Sequence, residues 1–162
     1  MNDSRRYAAI SAIGALVVAV IIIVLVLTLG HKSNQTLSGS QAASAKAQIE
    51  NNWKTFFADS TTLSQRETLL QNGSQFNSVI NEEFKALGSQ KSQAVISSVS
   101  LTSATTAIVA YSIQLNGQTV LPNQTGQAVL SGGKWKVSQA TFCQLLKMGG
   151  AAPPACQNIK GQ

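Results

Sequence analysis

The sequence predicts an α+β fold: one membrane span, then three N-terminal helices packed on a curved antiparallel sheet of about four strands. Three observations lead to it. Residues 8–29 are an unbroken apolar run, with no charged residue between Tyr7 and Gly30. From position 41 to 88 the apolar residues recur every three or four places, the period of a helix. Beyond Lys91 they alternate with Ser, Thr and Gln, the period of a strand with one wet face.

The apolar run reads AAISAIGALVVAVIIIVLVLTL. At ~1.5 Å per residue it spans about 33 Å as a helix, against a hydrocarbon core of about 30 Å. Arg5 and Arg6 precede it and Lys32 follows, so the positive-inside rule puts residues 1–7 in the cytoplasm as a short tail. Residues 8–30 are then a transmembrane helix and a signal anchor in the plasma membrane. A cleaved signal peptide has a shorter apolar region, of about 7–15 residues, so length favours the anchor. No Cys follows the apolar core, which excludes a lipoprotein anchor. Residues 31–41 (HKSNQTLSGSQ) are polar and form a flexible tether. Residues 42–162 form the extracytoplasmic domain.

Ser40 is the expected cap of a helix beginning near Gln41, with Ala42, Ala45, Ile49, Trp53 and Phe56 on one face. Asp59 and Ser60 end it. A second helix is expected over about Leu63–Asn72, carrying Leu69 and Leu70 and stopping at Gly73 as its C′ residue. Ser74 caps a third over about Gln75–Leu87, where Phe76, Val79, Ile80, Phe84 and Leu87 form a stripe and Gly88 ends it. In the strands, Val95, Val99 and Leu101 are expected on one face. Ala107, Val109, Tyr111, Ile113 and Leu115 make the clearest strand. Asn116-Gly117 signals a two-residue hairpin, since both turn positions require φ > 0. Pro122 places a bend or an edge near it. A strand over 125–131, a Gly132-Gly133 turn, a strand over Lys134–Thr141 and a helical turn over Phe142–Met148 complete the domain.

Composition narrows the function. The chain has 162 residues and 11% charged side chains, against about 25% in ordinary soluble domains. Disorder is excluded by 44% hydrophobic content, and a disulfide-dense mini-protein by a count of two Cys. From Lys46 onward nine basic residues face five acidic ones. The bases are dispersed and not interleaved with exposed aromatics, so no nucleic acid is expected as partner. Lys134 and Lys136 share the outer strand face opposite Trp135 and Val137, and would meet an anionic envelope surface or lipid head group.

Cys143 and Cys156 stand 13 positions apart in a compartment where disulfides persist. Metal binding would need further Cys or His near by, and a catalytic thiol pair a tighter spacing, so a structural disulfide is expected. The one His, His31, lies in the tether. No Ser-His-Asp order, nucleophile elbow or glycine-rich phosphate loop occurs. Glu83 falls at the edge of the third helix's stripe, between Ile80 and Leu87. Buried, its pKa would rise and it could serve as a base; at the boundary it reaches water, which is the expectation. Neither a catalytic set, a metal nor a cofactor is expected. Aromatic residues crowd the helix faces, so Trp53, Phe56, Phe76, Ile80, Glu83, Phe84, Tyr111 and Trp135 are candidates for lining a cavity between helices and sheet. A filled core would use the same residues.

Four blocks, AQIENNWKTFFADST, ETLLQNGSQF, LPNQTGQAVL and GGKWKVSQATFCQLL, occur in order between Ala47 and Leu146. In them the chain resembles the low-molecular-weight secreted antigen family of mycobacteria and related actinobacteria. The matching positions are Trp53, Phe56, Phe57, the Leu69-to-Phe76 block, Leu121 to Gln124, Trp135, Phe142 and Cys143. The resemblance implies a nuclear-transport-factor-2-like, cystatin-like domain and an exported or envelope protein without an established enzymatic activity. It supplies no catalytic residue. Exported members are cleaved or lipidated, whereas this chain reads as anchored. The layout of tail, single span and outer domain is also similar to that of accessory proteins of actinobacterial lipid-import systems. The expected function is therefore a non-enzymatic interaction or scaffold module on the outer side of a membrane, its partner an envelope or membrane protein. The alternative is a carrier or sensor of an apolar ligand in the helix–sheet cavity.

Overall fold

A computed structural model describes residues 37–150 and 153–157. The expected tail (1–7) and membrane span (8–30) lie outside the described residues, as does the tether up to residue 36. Among the described residues no helix is long and apolar enough to cross a membrane.

The domain is α+β. Helix α1 (Gly39–Phe57) starts two residues before the expected position, on Ser38 rather than Ser40. The Gln41 side chain reaches back to the Ser38 amide at 3.1 Å, which secures the earlier start. Its buried face holds Ala45, Ile49, Trp53 and Phe56, as the spacing predicts, but Phe57 joins it and Ala42 is only half-buried. Helix α2 (Leu63–Leu69) has a capping box: Gln65 N–H donates to Thr62 Oγ1 at 3.3 Å, and Thr62 N–H donates to Gln65 Oε1 at 3.0 Å. It ends three residues before the expected Asn72. Leu70 leaves the helix to bridge Val137, and the Gln71 amide donates to the Val137 carbonyl at 2.9 Å. The left-handed residue is Asn72, with φ 56°, and not Gly73. Gly73 serves close approach: a Cβ there would overlap the Glu67 carbonyl oxygen. A 3-10 turn (Gly73–Phe76) leads into helix α3 (Asn77–Ala86), so the expected third helix is two elements, its first turn wound tighter.

Strands β1 (Ser92–Leu101), β2 (Thr106–Leu115), β3 (Gln118–Ser131) and β4 (Lys134–Val137) form one antiparallel sheet in the order β1-β2-β3-β4. The expected hairpins are present, with φ of 51° and 81° at Asn116-Gly117 and 59° and 73° at Gly132-Gly133. One face assignment is corrected. The register slips between Ile96 and Ser98. Ala94 and Val99, five apart, are both buried, and Val95 is 43% exposed on the opposite face. Pro122 lies inside a longer β3, beyond the Ala128–Ser131 stretch that pairs with β4, so its missing N–H interrupts no β3–β4 ladder. β4 stops at Val137, four residues short of the expected Thr141. Ser138 instead caps helix α4 (Gln139–Met148), its Oγ accepting from the Thr141 amide at 3.1 Å. A 3-10 turn (Pro154–Cys156) follows.

The core lies between the helices and one sheet face. Ala107, Val109, Tyr111 and Ile113 of β2 are all buried against it, the alternation expected of that strand.

Candidate functional site

Of the eight candidate cavity residues, Trp53, Phe56, Phe76, Ile80, Tyr111 and Trp135 are buried and Phe84 is partly buried. Glu83 is exposed and lines neither of the hollows described below, because α3 turns Ile80 and not Glu83 toward the core. The aromatic members fill space by touching one another. Trp53 meets Tyr111 edge-on at 5.5 Å, and Phe57 stacks on Tyr111 at 5.8 Å. Phe56 meets Phe57 at 4.9 Å and Phe142 at 5.7 Å, and Phe142 meets Phe76 at 5.4 Å. Such edge-to-face contacts each add about 0.5–1.5 kcal/mol beyond area burial. Burial holds the Tyr111 hydroxyl well above the ordinary range for a phenol, so it stays protonated. Trp53 Nε1 is a fully enclosed donor with no acceptor among the described residues.

Cys143 and Cys156 are bonded, with Cα atoms 5.5 Å apart, the structural disulfide expected of the pair. The bond joins α4 to the Pro154–Cys156 turn. Gln139 Nε2 supports it by donating to the Ala155 carbonyl at 2.9 Å.

An open hollow of about 200 Å³ lies between α2 and α3, lined by Leu63, Arg66, Ile80, Asn81, Phe84 and Lys85. Only Ile80 and Phe84 of the candidate residues belong to it. A second hollow of about 60 Å³ shares Arg66 and Phe84 and adds Asp59 and Gln90. Arg66, absent from the sequence-based candidates, joins the two. Its side chain is buried at 4% exposure. Nε donates to the Phe56 carbonyl at 3.1 Å, Nη2 donates to the Ala58 carbonyl, and Cζ lies 3.5 Å from the Phe84 ring centroid. Desolvation lowers its pKa to about 10, opposed by the charge of Asp59, so it remains a cation at neutral pH. The Leu63-Arg66-Leu70 spacing of three and four was the available signal, since it places Arg66 on the inward stripe of α2.

Among the described residues the one ion pair is Lys54–Glu50 at 4.0 Å, exposed and worth little. No group of three His, Cys, Asp or Glu among them could hold a metal ion. No curated protein and no solved structure matches the chain. The profile described as low molecular weight antigen MTB12, C-terminal domain, matches residues 41–153. That span is more than two thirds of the sequence and contains all four quoted blocks, and the chain belongs to this family.

Proposed function

We propose that the chain is a non-enzymatic protein of the cell envelope whose domain, residues 42–162, binds a protein partner outside the membrane. Residues 8–30 hold it there as a single-pass anchor with the N-terminus in the cytoplasm. The element order agrees with a cystatin-like, nuclear-transport-factor-2-like domain, and the role that fits is an accessory to a larger membrane or transport assembly.

One observation carries this reading. The 42 residues from Ser92 to Gly133, which make three of the four strands, contain no charged side chain. On the sheet face turned from the core, Ser100, Ile108 and Gln127 form one cross-strand row, and Ser98, Ala110 and Thr125 the next. Val95 and Ile108 are 43% and 38% exposed there. Depletion of charge is the compositional mark of interface centres, and a solvent-facing sheet without a partner ordinarily carries charges. The apolar-carrier reading draws less support, because the aromatic residues expected to line its cavity pack on each other.

The test is purification of the full chain from its native membrane in mild detergent. A stoichiometric membrane or envelope protein is expected. It should be lost from the Val95→Lys, Ile108→Lys variant while the melting temperature is unchanged. Bound lipid in place of any protein would favour the carrier.

A further inference from the structure

We propose that the hollow between α2 and α3 is a binding site for an oxyanion joined to a short apolar group, a phosphate monoester or carboxylate of a few carbons. The site is separate from the proposed protein-binding face.

Arg66 is the basis. A buried guanidinium is costly unless its charge is compensated, and no carboxylate among the described residues lies within ion-pair distance of it. Of its five N–H donors, Nε–H and one on Nη2 are used by the Phe56 and Ala58 carbonyls. That part of the side chain caps the end of α1, where carbonyls lack helical partners. The remaining donors have no acceptor among the described residues. Nη1, which has none of these bonds, is not enclosed either, since Trp53 Nε1 is the one fully enclosed polar side-chain atom there without a partner. Arg66 lines both hollows, and the larger is the one with no acid in its lining. A planar guanidinium presenting free N–H groups matches carboxylate and phosphate geometry.

The rest of the lining completes the same chemistry. Lys85 supplies a second positive charge, and the Asn81 amide supplies neutral donors. Leu63, Ile80 and Phe84 form an apolar wall. Asp59, whose charge acts on Arg66, borders the smaller hollow and not this one. A volume of about 200 Å³ is below the 300–1,000 Å³ of sites for drug-sized ligands, so the occupant is small or is the head of a larger molecule.

The experiment uses the full chain in dodecyl maltoside, which carries no anion, with NMR of the Arg66 Nε–H and of the Leu63 and Ile80 methyl groups. Butyl phosphate should shift all three saturably. Inorganic phosphate should bind at least tenfold more weakly, lacking the apolar contact. Lys85→Glu, a change at an exposed position, should weaken butyl phosphate at least tenfold without moving the melting temperature. Arg66→Lys should weaken it as well, and retention of the melting temperature there would separate binding from capping. Mixed micelles with phosphatidate identify a lipid head group as the source if they produce the same shifts; shifts with butyl phosphate alone identify a soluble ligand. No saturable shift with butyl phosphate or phosphatidate, equal affinity for inorganic phosphate, or binding unchanged in Lys85→Glu would overturn the proposal.

Discussion

Gly126 of β3 and Trp53 of α1 meet without room for a side chain between them: a Cβ on Gly126 would stand 2.9 Å from Trp53 Cζ2 and 2.6 Å from Thr141 Cγ2. Neither neighbour can yield easily. Trp53 is 1% exposed and wedged against Tyr111, and Thr141 Oγ1 accepts from the Gln127 amide at 2.7 Å. Gly126→Ala should therefore destabilise the domain by about 1–3 kcal/mol through overpacking, measured by chemical denaturation. A change within 0.5 kcal/mol of zero would mean that the helix–sheet contact is looser than described.

The Cys143–Cys156 bond restrains the unfolded chain. On the loop-entropy account, closing a separation of 13 residues stabilises by about 3 kcal/mol. The Cys143→Ser, Cys156→Ser variant should lose roughly that amount, and mass analysis of the unreduced protein should find no free thiol. Two free thiols would refute the pairing.

Arg66→Met keeps much of the side chain's bulk and removes its donors, leaving the Phe56 and Ala58 carbonyls without their partners. A loss of about 1–3 kcal/mol for each unsatisfied buried group is expected, softened where water reaches Ala58. Thermal and denaturant unfolding should both register it. An unchanged stability would show that the guanidinium's burial cost cancels its bonds.

Tyr111 sets an alkaline dependence. Its folded pKa is raised by burial, whereas the unfolded phenol titrates near 10. Above pH 10 the unfolded state binds fewer protons, so this group's contribution falls by about 1.4 kcal/mol per pH unit. Arg66 has the opposite sign. Held down to about 10 in the fold and higher when unfolded, it adds stability as pH rises above about 10. The two slopes oppose each other in the wild type. Tyr111→Phe removes one of them, so the variant should gain on the wild type as pH rises from about 9 to about 11. A constant difference between the two unfolding curves would contradict the assigned burial of the hydroxyl.

How far the sequence could be read depended on whether the signal was local. The inward face of α1 followed from the spacing of Ala45, Ile49, Trp53 and Phe56. The Asn116-Gly117 turn followed from its need for positive φ, and the disulfide from two cysteines with no further Cys or His near them. Val95 was assigned to the wrong face because the bulge after Ile96 belongs to the pairing with β2, and nothing within SQAVISSVSL marks it. The end of α2 was misplaced for the same kind of reason: Leu70 leaves the helix for Val137, 67 positions away. Arg66 has little local signature because its worth comes from three unrelated neighbours, the Phe56 carbonyl, the Ala58 carbonyl and the Phe84 ring. Gly126 has no local signature either, because its role is to place no side chain opposite Trp53.

The proposed role rests on the uncharged outer face of β1, β2 and β3, and site-specific photo-cross-linking in native membranes tests it most directly. A photoreactive residue at Ile108 should capture one protein in high yield, while the same group at the exposed Lys46 or Glu82 on the helices should not. Capture from the helical positions with none from Ile108 would contradict the assignment of the binding face. Capture from neither would contradict the interaction module itself.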